Sequence, residues 1–393
     1  MSRNALDFIV VKSPSVASTY KTGNKPSFAT FIEDYINGRI DLNGNFEEFM
    51  AVRNTFFDYT LTGHHIKFLL TRFIPEVLIH SKAQDERIVR DHYDRGNDFF
   101  ASFLGPRMIY TSGFFMDLNE SLETAQDRKM QMVCSKLNMK PGNRYLDIGC
   151  GWGTLATYAA KHYGVDATGV TIAQDGYDTG MKRIKDHGVS DRARIIRQDY
   201  RDIDPKSRYD HISCLEMGEH VGIRKFQRFI NQIYNLLDDN GTFYIQQAGL
   251  RANTGFWNKG QHWEDLCWGM FMNEYIFSGA DASTPLAFLT ECLQDANFEV
   301  QNVENVGIHY SHTIQHWYNN WMSNEAYIME KYGMWWFRLW QVFLKWSVII
   351  AGQGSSTCWA ITAYKNLNSF DRNQWIGRAN LATRMNMVTP QEF

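Results

Sequence analysis

The sequence predicts an α/β fold: a mainly parallel seven-stranded sheet with helices on both faces. Three observations carry it. Strand and helix patterns alternate between residues 120 and 250, as βαβ units require. The apolar stretch Arg144–Ile148 runs directly into Gly149-Cys150-Gly151-Trp152-Gly153 and then into a helical pattern. Hydrophobic residues make up 44% of the 393 residues against 21% charged, enough to fill a packed core.

The elements follow in order. Residues 1–60 carry turn formers (Ser13-Pro14, Gly23-Asn24, Asn43-Gly44) around short apolar pieces, of which Phe28–Ile32 reads as a short strand or a helix turn. Residues 61–90 show a broad apolar helical face that Pro75 should kink. Met108–Phe115 reads as extended. Strands are expected at 144–148, 166–171, 194–199, 209–215 and 241–247, the last entered through Asp239-Asn240-Gly241. Helices are expected at 122–138, 154–163, 174–187 and 223–237. After residue 250 the alternation stops. A Trp-rich polar stretch, 251–280, reads as an insertion over a site. Helix 285–296, strand 299–308, helices 313–330 and 334–351 and strand 355–365 follow. The division expected is 1–90 as a helical N-terminal cap, 91–368 as the α/β domain with 251–352 as a pocket-forming insertion, and 369–393 as a tail.

Composition narrows the function. The net charge of −3 gives no field for nucleic acid. Aromatics reach 15%, with 12 Trp, which points to wide apolar pockets or lipid contact. Six cysteines without a C-x-x-C pair or zinc spacing read as reduced, mostly buried thiols, with no metal site. The first dozen residues lack the apolar core of a secretory signal. No window of 18 residues is free of charge, so no transmembrane helix is expected.

The loop at 147–153 has the spacing D-x-G-x-G-x-G. The dinucleotide fingerprint G-x-G-x-x-G needs glycine at 154, where Thr154 stands. A glycine loop beside a strand-end carboxylate suits a cationic amino-acid moiety, so the expected cofactor is S-adenosylmethionine (AdoMet) and the fold a Rossmann-like class I methyltransferase. Asp147, Gly149, Cys150, Gly151, Trp152 and Gly153 form the expected cradle. Thr171, Ile172 and Gln174 stand where many AdoMet enzymes place a carboxylate for the ribose. Asp199 and Tyr200 are placed to meet adenine.

Several segments resemble the cyclopropane-fatty-acyl-phospholipid synthase family. They are His92-Tyr93-Asp94 with Asn97–Phe100, Tyr110-Thr111, Leu146–Gly153, Gly169-Val170-Thr171, Gly218–Gly222 and His309-Tyr310. Together they span about residues 85–365 in the family's order. The resemblance implies AdoMet-dependent alkylation of a lipid double bond, and adds Tyr110 and Thr111 to the cofactor set. Arg107–Gly113, Gln246–Arg251 and Tyr275–Leu286 look more specifically like the sphingolipid C9-methyltransferases. That branch methylates the long-chain base of glucosylceramide, so a ceramide or glucosylceramide substrate is implied. Its fungal members carry N-terminal transmembrane spans, which are not expected here. The cyclopropane synthases hold bicarbonate with Cys, Glu, His and Tyr. Glu219 and Tyr310 match that set, while Ser112 and Gln246 replace the Cys and the His. Bicarbonate therefore carries over only in part. The alternatives are a cyclopropane synthase, a small-amine N-methyltransferase and a catalytically silent lipid-binding protein.

Methylating an alkene leaves a carbocation, and one proton must then be lost. Aromatic faces hold a cation without quenching it; Tyr110, Phe114, Phe115, Trp257, Trp263 and Trp268 are the candidates. Glu219 follows the fourth strand, where α/β sheets place their sites, and burial would make it a better base. It could equally cap helix 223–237. His220 orients Glu219 or caps the same helix. Gln246 donates to a bound anion or bonds only to backbone. Tyr310 is a site residue or a core tyrosine at a strand end. Arg338, Gln341 and Lys345 share one face of the Trp-flanked helix 334–351. That helix either lies in a membrane interface or packs on the protein with the stripe to solvent. Leu61–His80 is the second candidate for membrane contact. Peripheral attachment at the cytosolic face of an intracellular membrane is the localisation expected.

Overall fold

A computed structural model describes residues 5–21, 23–73, 95–251, 263–279, 284–376 and 390–393. Expectations for His92, Tyr93, Asp94, Pro75 and Trp257 lie outside the described residues. The chain divides into two compact units, each discontinuous in sequence.

The larger unit takes 81–252, 280–313 and 351–393 and contains the seven-stranded sheet. Its strands are β1 (Arg144–Ile148), β2 (Asp166–Thr171), β3 (Ala193–Arg197), β4 (Tyr209–Leu215), β5 (Leu237–Leu250), β6 (Phe298–Asn305) and β7 (Ser356–Lys365). The order across the sheet is β3-β2-β1-β4-β5-β7-β6. The first five strands pair in parallel, and β7 runs antiparallel between β5 and β6. The crossovers reverse direction between β1 and β4, the place where open sheets of this kind bind ligands. Helix α1 (Leu122–Lys136) precedes β1, and α2 (Thr154–Tyr163), α3 (Gln174–Asp186) and α4 (Ile223–Leu236) lie between strands.

Alternation along the strands builds a core on each face. Tyr145 joins Tyr158, Ala160 and Val133 on one side, while Leu146 and Ile148 join Phe226, Ile230 and Ile233 on the other. Helix α4 buries Phe226, Phe229, Ile230, Ile233 and Leu236, a single helical stripe. Each such side chain contributes about 1.5–3 kcal/mol on burial.

Met108–Phe115, read as extended, is irregular chain that pairs with no strand. Its amides are satisfied singly: Gly113 N–H donates to Thr313 Oγ1, Phe114 N–H to the Ala125 carbonyl and Phe115 N–H to His309 Nδ1. The helix expected at 313–330 starts earlier, at Gly307, and breaks at Asn324, giving Gly307–Ser323 (α5) and Glu325–Lys331. Asn305 Oδ1 accepts the Gly307 N–H at 2.8 Å and ends the strand there. Tyr310 is therefore in a first helical turn, not at a strand end. The six cysteines are free and buried, as the sequence suggests.

The second unit takes 1–80, 253–279 and 314–350. Phe28–Ile36 is helical, which settles the open reading of that segment. Its rings pack edge-on or tilted against Phe49, Phe57 and Trp346. Arg53 and Glu264 form a buried ion pair at 2.5 Å, joined by the indole N–H of Trp346. The helix Met334–Gly352 is interior, with Leu339, Trp340, Val342, Leu344 and Trp346 buried. Its cationic stripe faces neither lipid nor solvent. Arg338 pairs with Asp41, Gln341 with Tyr35, and Lys345 with Glu47 and Gln315. Arg338 and Lys345 are largely covered while Asp41 and Glu47 stay partly exposed, and a covered charge with a partner is cheaper than one left alone, so the stripe ties elements of this unit together. No helix among the described residues is long and apolar enough to cross a membrane.

Candidate active site

Two clefts flank the glycine loop in the larger unit. One, about 920 Å³, is lined by Thr171, Ile172, Asp175, Asp199, Tyr200 and His220 among others. The other, about 690 Å³, is lined by Tyr110, Thr111, Lys129, Asp147, Cys150 and Leu215 among others. Gly149, Gly151, Trp152 and Glu216 line both.

The loop's geometry explains its glycines. Gly149 has φ +74°, and a Cβ there would lie 2.7 Å from Met217. Gly151 has φ +54°, and a Cβ there would meet no protein atom within 4 Å; it would point into open space beside the clefts. Trp152 is fixed by its indole N–H on Asn97 Oδ1 at 2.6 Å, with Phe100 against its ring. Gly153 begins α2.

Asp147 is buried at the end of β1, beside Ser213 of β4 in the sheet register. Ser213 Oγ donates to it at 2.6 Å. Burial pushes the carboxyl up to about 6, while the Ser213 hydroxyl and the Lys129 charge pull it down. Lys129, on α1, donates to the Thr111 hydroxyl. Burial pushes its ammonium down to about 8, against the attraction of Glu216.

Glu216 follows the last residue of β4 with φ +56°, a left-handed conformation rare for a residue with a side chain. Its amide donates to the Gln246 carbonyl at 2.7 Å. Gln246 Nε2 donates to its Oε1 at 2.5 Å, and the Tyr310 hydroxyl donates to its Oε2. The Ser112 backbone and the Cys358 thiol, 3.8 Å away, also favour the ionised form. Burial outweighs these and pushes the carboxyl up to about 7.

The expected catalytic residues are thus mostly brought together, around a residue the sequence reading passed over. Ser112 is buried, with its Oγ 3.1 Å from Gln246 Nε2. Tyr310 and Gln246 close on Glu216. Glu219 is buried on a short turn after β4, and its Oε1 accepts the Ala248 N–H at 2.6 Å. His220 lines the larger cleft. His309 stacks near Phe114, and burial pushes it down to about 4, so it accepts the Phe115 amide as a neutral ring.

Of the expected cofactor residues, Tyr110, Thr111, Asp147, Gly149, Cys150, Gly151, Trp152, Thr171, Ile172, Asp199 and Tyr200 line a cleft. Asp199 is held by a two-pronged ion pair with Arg201. Gln174 lines neither cleft; it is exposed and donates to Asp178, one turn along α3. Asp175, the next residue, lines the cleft instead. Of the aromatic candidates, Trp268 is committed to Ser347 in the second unit, and Trp263 of that unit is half exposed.

Lys129 had a signal that periodicity offers. It falls in the stripe Ala125–Lys129–Val133, otherwise apolar and buried, and a lysine there needs an anionic partner. Glu216 had one too, as an acid directly at the end of a central strand.

Comparison with known proteins places this site in context. Residues 80–361 match the family model of mycolic acid cyclopropane synthetase. The sphingolipid C9-methyltransferase of Komagataella phaffii is 45% identical over 385 residues, covering 95% of this chain and 77% of that protein. Sphingolipid C9-methyltransferase A of Emericella nidulans is 46% identical over 364 residues, covering 91% and 69%. The crystal structure of mycolic acid cyclopropane synthase CmaA1 complexed with SAH and CTAB shares the fold, with a TM-score of 0.68 at 22% identity over 71% of this chain and 98% of that one.

Proposed function

The chain belongs to the mycolic acid cyclopropane synthetase family, and from that premise we infer its reaction: AdoMet-dependent C9-methylation of the long-chain base of a sphingolipid. The observation that carries the substrate is the 45% identity to named sphingolipid C9-methyltransferases across nine-tenths of the chain. AdoMet is the cofactor. The residues present fit it: the loop is open at Gly151, and one cleft offers a carboxylate and an ammonium to a zwitterionic end group. When bound, AdoMet supplies an electrophilic methyl group.

The chain's own residues do the rest. In this reading Asp147 and Lys129 face the amino-acid end of the cofactor. Thr171, Ile172, Asp175, Asp199 and Tyr200 face the nucleoside. Tyr110, Phe114 and Phe115 supply aromatic faces to the cation formed on the lipid. Glu219 and His220 shape the end of β5 and the wall of the larger cleft. The lipid substrate is ceramide or glucosylceramide.

The lipid is reached by peripheral contact with a membrane, at its cytosolic face. What supports membrane contact is the segment Leu61–Phe73, where Ile66 and Leu70 are 52% and 64% exposed beside Lys67 and Arg72.

The test is mass spectrometry of lipid extracts incubated with the protein and AdoMet carrying a fully deuterated methyl group. A labelled sphingoid base that keeps every deuterium supports the reading. A phospholipid acyl chain that has lost one deuterium means ring closure and a cyclopropane synthase. Label on a small amine alone removes lipid methylation.

A further inference from the structure

Glu216 is the one carboxylate shared by the linings of the two clefts. The other acids of these linings are placed differently. Asp147 lines one cleft and accepts from Ser213. Asp199 is paired on both oxygens with Arg201. Asp175 lines only the larger cleft. Glu219 lines neither and supports the Ala248 amide.

The surroundings of Glu216 amount to a built anion site. A tyrosine hydroxyl and a glutamine amide each donate to a separate carboxylate oxygen. Gln246 is itself fixed by the Ser112 and Tyr244 hydroxyls, at 3.1 and 3.3 Å. A free anion seated on those donors would have to displace the Glu216 side chain. The left-handed backbone at 216 puts a charged side chain where glycine is the easier residue, and such strain persists where the surrounding structure over-determines it.

We propose that Glu216 takes the proton from the methylated chain carbon, so that the reaction needs no free anion as its base. This rests on the C-methylation reading above. Once the methyl group is on the chain, the adjacent carbon is cationic. The C–H bond of the methylated carbon breaks, its electron pair restores the double bond, and the proton goes to a Glu216 oxygen to give a neutral carboxyl. That carboxyl returns the proton to solvent after the product leaves. Burial, which lifts this carboxyl toward neutrality, suits it to accept a proton there.

The experiment compares wild type, Glu216→Gln and Glu216→Gly, with and without bicarbonate, reading labelled product and AdoMet binding by calorimetry. Wild type is expected to turn over equally in bicarbonate-free buffer. Glu216→Gln should bind AdoMet within about threefold of wild type and lose about 100-fold or more in kcat, the usual size of a general-base effect. Glu216→Gly relieves the backbone strain and opens room for an anion between Tyr310 and Gln246, and its AdoMet binding by calorimetry shows that it is folded. Recovery of its activity with added bicarbonate, and not with chloride, supports the assignment. Stimulation of wild type by bicarbonate, or near-wild-type kcat in Glu216→Gln, overturns it. If wild type makes no labelled sphingoid base, the C-methylation reading itself falls, and the proposal with it.

Discussion

The hydroxyl of Tyr310, in the first turn of α5, donates to the carboxylate of Glu216, at the end of β4 and 94 positions earlier in the chain. That bond joins two elements whose sequences give no sign of meeting. It stabilises the ionised form of a carboxylate that burial alone would neutralise. It also fixes which way the acid points.

Tyr310→Phe removes that donor and keeps the ring. We expect AdoMet affinity unchanged, kcat down about 10–100-fold, and the acid limb of the kcat profile moved to higher pH. The sign follows from the base's role. Losing a donor to the ionised form raises the carboxyl's pKa, so more alkaline solution is needed to keep it ready. Steady-state kinetics across pH checks this.

Wild type should lose turnover as pH falls through about 7, where Glu216 becomes protonated. Lys129→Met removes the ammonium that holds Glu216 down, so its limb should also move to higher pH. An unmoved limb in Lys129→Met breaks the electrostatic link between the two.

Gly151→Val should abolish AdoMet binding without unfolding the chain. Its Cβ meets no protein atom, so the folding cost is backbone strain, about 1–2 kcal/mol. In the proposed reading the branched side chain would stand in the cofactor's space. Calorimetry showing wild-type affinity would mean the cofactor does not lie against this loop.

Glu219→Gln keeps an oxygen for the Ala248 amide. It should bind AdoMet normally and lose less turnover than Glu216→Gln. The reverse order of damage would give the base's role to Glu219.

Ile66→Ser and Leu70→Glu should weaken liposome flotation while leaving turnover on detergent-dispersed lipid intact. Burying each apolar side chain in the interface is worth about 1.5–3 kcal/mol, so each change should cost about tenfold or more in partitioning. Equal flotation of the double variant would move the membrane contact elsewhere.

The sequence by itself determined the α/β frame and the cofactor loop, because both are written locally. The βαβ alternation and the apolar run 144–148 into Gly149–Gly153 need only neighbours in sequence. The same holds for the stripe of α4, whose period is 3.6 residues. What only the tertiary structure decided is where each acid points and which charges are paired. Glu216 and Glu219 are three residues apart and alike in composition. One is turned by a left-handed backbone onto Tyr310 and Gln246, the other onto the Ala248 amide. Arg338 and Lys345 read as a surface stripe because periodicity shows a shared face but not what packs on it. Their partners, Asp41 and Glu47, lie about 300 residues away. A side chain's burial and its pKa are set by atoms brought close in space, and no local pattern encodes those.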